Sequence, residues 1–294
     1  MPISVDEVLE TYWDDLAPLR NPVMLVALRG LFDIGAVATS ALAWMLKERD
    51  ATVVADIDPD PFFDFTEERP EQFIDEDGDP QVRWPENEFM IIRYPEGARD
   101  MIVLNGVEPH VSWGTFTQSI VKVAQGLGCN LVVSLGAAAE QTPHTRVPLV
   151  VGSTTNTELA ARLGLSRPQY QGPTGVAGGM LDALEKADIP SISLRVGVPH
   201  YLMQAQHPKS AAALLQHLQH VLGIPTDHAN LMEEMSRWQE LHDAAVEGDR
   251  DASAYVHMLE QRYDQQVERN IPSGDDLAAE LEEFLRGQSD DSDD

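Results

Sequence analysis

The chain has 294 residues, 49 acidic against 20 basic side chains, a formal charge of −29 at pH 7, 43% apolar residues and a single cysteine. Nucleic acid and anionic membrane both recruit a basic footprint, so this charge argues against either as a partner. No apolar run reaches the roughly 18 residues that a spanning helix needs. Residues 1–15 carry acids where a signal peptide would carry bases, and the lone Cys129 precludes an internal disulfide, so a cytoplasmic protein with a buried, inert thiol is expected.

In chain order, the apolar run Pro22–Leu28 predicts a strand, the stretch from Asp33 to Glu48 a helix, and Ala51–Ile57 a second strand. That βαβ pattern favours a parallel sheet. Residues 60–88 break the rhythm with Pro61, Pro70, Pro80 and Pro85 in an acidic stretch. Within it, Asp77-Gly78-Asp79 between Phe73-Ile74 and Gln81-Val82-Arg83-Trp84 predicts a β-hairpin on a sheet edge. Further strands are expected over 89–94, 101–104, 131–135, 148–152 and 192–196, and helices over 115–127 and 175–187. Near-continuous apolar strands of this kind are covered on both faces, which points to the α/β class with a mostly parallel or mixed sheet.

From His207 the strand pattern stops, and helices are expected over 208–222, 227–247, 250–268 and 275–286. Leu231, Met235, Trp238, Leu241 and Ala245 fall at helical spacing and predict a face that docks on the α/β body. The expected organisation is an α/β core over 1–224 with a β-hairpin insertion near 60–88, a helical C-terminal extension over 225–287, and a disordered acidic tail over 288–294.

Polar residues cluster at the expected strand ends, where open α/β sheets collect their functional groups. Glu108 follows Asn105-Gly106 and can orient a hydroxyl or move a proton, or can simply belong to a chain-reversing turn. His144, Thr145 and Arg146 combine an imidazole, a hydroxyl and a guanidinium that suit a carboxylate or phosphate; equally, Arg146 can pair with local acids and His144 can satisfy loop carbonyls. Tyr170 and Thr174 precede a helix, with capping by Thr174 the plainer reading. His200 and Tyr201 close the last strand, where the phenol ring can stack on a ligand or plug an interface. The spacings match neither phosphate loop, dinucleotide fingerprint, metal motif nor nucleophile elbow, so no catalytic residue, cofactor or metal is assigned.

The order of Gly106-Val107-Glu108-Pro109, Trp113, Phe116, Leu135-Gly136-Ala137, Pro143-His144-Thr145-Arg146, Tyr170 to Gly175 and Pro199-His200-Tyr201 resembles the second type of the proteasome assembly chaperone family, in its bacterial branch, over about residues 20–270. The resemblance implies a three-layer α/β/α sandwich of the phosphorylase/hydrolase-like kind and a helical C-terminal extension. It also implies self-association, with a trimer as one form, and a non-enzymatic role in holding proteasome subunits or another protein. Members that grip the proteasome commonly end in a hydrophobic-Tyr-any tripeptide; Ser292-Asp293-Asp294 stands here. The alternative on such a scaffold is a nucleoside- or nucleotide-type enzyme or binding protein, with Glu108 on ribose hydroxyls, Arg146 on phosphate and Tyr201 on the base.

Overall fold

A computed structural model describes residues 3–47, 49–94 and 97–270; the helix expected over 275–286 and the acidic tail over 288–294 lie outside the described residues. The centre is four parallel strands, β2 (Val23–Arg29), β7 (Met101–Val107), β8 (Leu131–Glu140) and β10 (Ser191–Pro199), in the order β7-β2-β8-β10. Three more continue the sheet antiparallel beyond β7: β6 (Glu88–Ile92), β3 (Ala51–Ile57) and the edge strand β1 (Leu9–Thr11). On the other side β9 (Val150–Ser153) pairs antiparallel with β10.

Alternate residues of each central strand enter opposite cores. Val23, Leu25 and Ala27 meet α2 (Val37–Leu46) and α6 (Pro208–Leu222) on one face. Met24 and Val26 meet α3 (Trp113–Gly126) and α5 (Val176–Lys186) on the other. Burial on both faces explains why these strands read as unbroken apolar runs, and the result is the expected α/β/α sandwich around a mixed sheet. A short helix, α4 (Thr157–Leu163), capped by Asn156, went unread in the sequence, as did β1 and the turn of helix α1 (Val5–Val8) before it.

Several expectations need correction. The strand Ala51–Ile57 has its expected bounds, but its partners are the antiparallel β1 and β6; the connection from β2 through α2 skips two positions in the sheet. β3 still runs in the direction of β2, since two antiparallel pairings, β3 with β6 and β6 with β7, lie between them. The hairpin forms as β4 (Glu71–Ile74) and β5 (Pro80–Arg83) around the Asp-Gly turn, yet it is a separate two-stranded sheet and adds nothing to the edge of the main one. β7 runs on through Asn105-Gly106-Val107, so the Asn-Gly pair is strand and not turn, with Asn105 opposite Ala27. β8 likewise continues five residues past Leu135, because pairing of Gly136 to Glu140 with β10 overrides the poor strand preference of its alanines.

After α6 come α7 (Met232–Glu247) and α8 (Arg250–Asn270). Leu231, Met235 and Trp238 dock as expected, but Leu241 is 68% exposed and Ala245 is also on the outside. The contact turns instead through His242 and Asp243 toward the rim of the sheet, where it becomes polar. No helix of the described residues is long and apolar enough to cross a membrane.

Candidate functional site

Because β2, β7, β8 and β10 are parallel, the segments after Arg29, Val107, Glu140 and Pro199 emerge on one rim, and the candidate residues gather there in two separate groups.

The first group lies beneath α7 and α8. His144 is buried, at 2% exposure. Its backbone N–H donates to the Tyr201 hydroxyl oxygen (2.8 Å), its Nδ1 lies 2.7 Å from the same oxygen, and its Nε2 lies 3.1 Å from Asp243 Oδ1. One proton arrangement satisfies all three: Nε2–H donates to the carboxylate, and the phenol donates to the bare Nδ1. Lys209 Nζ closes the other side, donating to the His144 carbonyl (2.7 Å) and to Gln239 Oε1 (2.8 Å). Next along, Thr145 donates to Glu260 (2.5 Å), while Arg146 forks onto Asp264 (2.8 and 2.9 Å) and reaches Glu260 (3.1 Å). His200 Nδ1 donates to the Glu140 carbonyl (3.0 Å), which leaves Nε2 to accept from the Tyr255 hydroxyl (2.8 Å). Tyr263 donates to the Val147 carbonyl (2.7 Å).

Tyr201, His144 and Asp243 form a chain with the connectivity of a nucleophile–base–acid relay, but His144 is buried at 2% exposure with its ring against Trp238 and His242 of α7. Burial lowers the His144 pKa more than Asp243 raises it, so the ring stays neutral. Burial also pushes the Tyr201 phenol up to about 12, so it stays protonated and donates to His144. Burial works against Glu260 too, yet Thr145, His257 and Arg146 together hold it below the ordinary carboxylate range, and Arg146 does the same for Asp264. Every one of these polar groups is spent on another residue of the same chain. Arg146 does pair with acids, but they are the sequence-distant Glu260 and Asp264 and not local ones, and the reading of His144 as a satisfier of loop carbonyls is replaced by its bonds to Tyr201 and Asp243.

The second group stays open. Glu108 accepts from the Leu31 backbone N–H through Oε2 (2.8 Å), and the glycine at 30 is what admits it: a Cβ there would lie 2.4 Å from that oxygen. Phe32 packs against Gly175 next to Glu108. A cavity of about 400 Å³ adjoins them, lined by Phe32, Tyr170, Thr174, Ala177, Leu181 and Arg195 among others. Thr174 is not the cap of α5; Gly175 takes the N-cap position, and Thr174 lies against Gly178, whose missing side chain makes the room. Around this half, Leu31 (70%), Tyr170 (75%), Phe32, Val111 and Trp113 are exposed apolar groups. The Leu31-Phe32 loop carried no sequence signal beyond its place after a strand. Asp243, Glu260 and Asp264 were hidden among 49 acids. Cys129, whose thiol burial pushes up to about 12, is remote from both groups in packing beside α3. Among the described residues no set of three or more His, Cys, Asp or Glu side chains is placed to hold a metal ion.

The PAC2 family pattern matches residues 27–246, a span that runs from β2 through nearly all of α7. The chain belongs to the PAC2 family. Among solved structures, a PAC2 family protein from Streptomyces avermitilis is 34% identical and superposes with a TM-score of 0.74, covering 80% of this chain and 99% of that one. A proteasome-assembly chaperone homologue from Mycobacterium tuberculosis is 31% identical (TM-score 0.72), again covering 80% and 99%. An archaeal proteasome activator from Pyrococcus furiosus shares the fold at 19% identity (TM-score 0.64; 81% and 97% covered). None of the curated proteins matches the chain. PAC2 membership accounts for the α/β/α sandwich.

Proposed function

We propose that this PAC2 protein is a non-enzymatic, assembly-chaperone-like module that binds protein and works as a homo-oligomer, a trimer being one candidate state. Its partners are proteasome subunits or another protein, met in the cytoplasm. The observation that carries the reading is the division of the rim: His144, Thr145, Arg146 and His200 are tied to α7 and α8, while the half that holds Glu108 presents the exposed apolar side chains Leu31, Phe32, Tyr170, Val111 and Trp113. Exposed apolar patches of this kind on soluble proteins mark contact surfaces. A nucleoside-type site would need His144, Arg146 and Tyr201 open at the rim, where the two helices now lie. The similarity to a chain described as a proteasome-assembly chaperone homologue supports the same direction.

The test is gentle co-purification at native expression level, with light scattering on the eluted species. The expected result is a multiple of the protomer mass that retains proteasome subunits or another stable protein, and that Leu31→Ser with Tyr170→Ser weakens. A monomer that returns alone would sink the reading.

A further inference from the structure

The hairpin of β4 and β5 has two unlike faces. Residues directly opposite in an antiparallel pair point the same way, and alternate residues share a face. With Glu71 opposite Arg83 and Phe73 opposite Gln81, one face carries Glu71, Phe73, Gln81 and Arg83. This face is also exposed, Phe73 at 37%, but it is mostly polar: the Arg83 guanidinium stacks 4.7 Å over the Phe73 ring, and Glu71 and Arg83 line a cavity of about 480 Å³ together with Arg29 and Asn105 of the body. With Gln72 opposite Val82 and Ile74 opposite Pro80, the other face carries an apolar stripe of Ile74, Pro80 and Val82. It is uncovered by the described residues, with Ile74 64% and Val82 54% exposed. At its foot Trp84 packs edge-on against Phe65 at 4.9 Å and anchors the arm.

A two-stranded hairpin with one uncovered apolar face is marginal on its own in water, and this one is held out on an arm. Charge decides what covers it. Between Glu67 and Glu86 lie eight carboxylates, Glu67, Glu68, Glu71, Asp75, Glu76, Asp77, Asp79 and Glu86, against Arg69 and Arg83. A second copy meeting arm to arm would set these eight carboxylates against the same eight, and residues 271–294 bring nine acids against one arginine, so neither complements this arm. We infer that the hairpin is a docking arm for a different polypeptide, one that offers an apolar groove rimmed by lysine and arginine. Ile74 and Val82 enter the groove, and the carboxylates of the turn meet its basic rim, supplying steering and register. This deepens the protein-binding reading and rests on it, since it names the element and the partner's surface chemistry.

The experiment places a photo-crosslinking residue at position 74 of the full chain in its native cells, with a parallel probe at position 170 on the rim. Two variants of the position-74 protein accompany it. Val82→Ser trims the stripe; Glu76→Lys with Asp77→Lys reverses charge at the turn and leaves Asp75 to hold the turn through the 77 and 79 amides. The expected result is an adduct at 74 to a protein other than this chain, through peptides in which Lys or Arg flanks apolar residues. Its yield should fall roughly tenfold in the charge-reversed variant and with added salt. Circular dichroism confirming folded variants keeps that loss interpretable. An adduct to a second copy, an adduct indifferent to charge reversal, or adducts at 170 alone would overturn the docking arm; the last would leave the protein-binding reading standing, whereas no adduct at either position would remove both.

Discussion

The two halves of the rim follow different pairs of parallel strands, β8 and β10 in one and β2 and β7 in the other, and have opposite fates. Beneath α7 and α8, His144, Thr145, Arg146, His200 and Tyr201 are fully partnered by Asp243, Glu260, Asp264 and Tyr255. Beside α5, Glu108 has its one bond to the Leu31 amide and stands among exposed apolar side chains next to a cavity. Polar residues clustered at strand ends therefore do not by themselves mark a reaction site. The same residue types serve as a clasp when later helices bring complementary acids, and the residues left for a partner are the less conspicuous apolar ones.

The comparison predicts a graded series in stability. The largest effect is expected from Trp238→Ala, which empties the aromatic contact of α7 with His144 and His207; a loss of about 3–5 kcal/mol should appear in the denaturant midpoint. Tyr201→Phe keeps the ring but strands His144 Nδ1 and its buried backbone N–H, at a cost of about 1–3 kcal/mol. Acidification acts in the same direction. The folded pKa of His144 is depressed by burial, so its contribution is complete above the unfolded value of about 6.5 and is lost as the pH falls from there through the folded value. The unfolding midpoint should thus drop as the pH falls below about 6.5, and less so in a His144→Gln variant. Arg146→Ala removes partly exposed ion pairs, with Asp264 49% exposed, and should cost only about 0.5–1 kcal/mol, shrinking with salt. At the bottom of the scale, Leu31→Ser should leave the thermal midpoint nearly unchanged while it changes the light-scattering mass. If it destabilises the fold as Tyr201→Phe does, the distinction between the two halves fails.

How far the sequence revealed this depends on how local each signal is. α6 has the bounds expected from its periodicity, since the proline at its start and the glycine beyond its end are local. The Asp-Gly turn likewise announced the hairpin, though not its separation from the main sheet. The partition of the candidate site was illegible, because it turns on contacts between residues about a hundred positions apart, such as His144 with Asp243 and Arg146 with Asp264. Nothing in a tetrapeptide at 143–146 states which of many acids will reach it. Thr174 failed as a cap for a shorter-range reason: Gly175 can occupy the N-cap position in an extended conformation, which frees Thr174 to settle against Gly178.

The clasp also has an order in time. Synthesis proceeds from the N-terminus, and roughly 70 residues separate Tyr201 from the end of α8. At about 5–20 residues per second, several seconds pass in which β8 and β10 exist before their covering helices do. During that interval the nascent chain presents two bare imidazoles, a guanidinium and a phenol on a half-finished rim, so the last helices serve as the chain's own late-arriving cover.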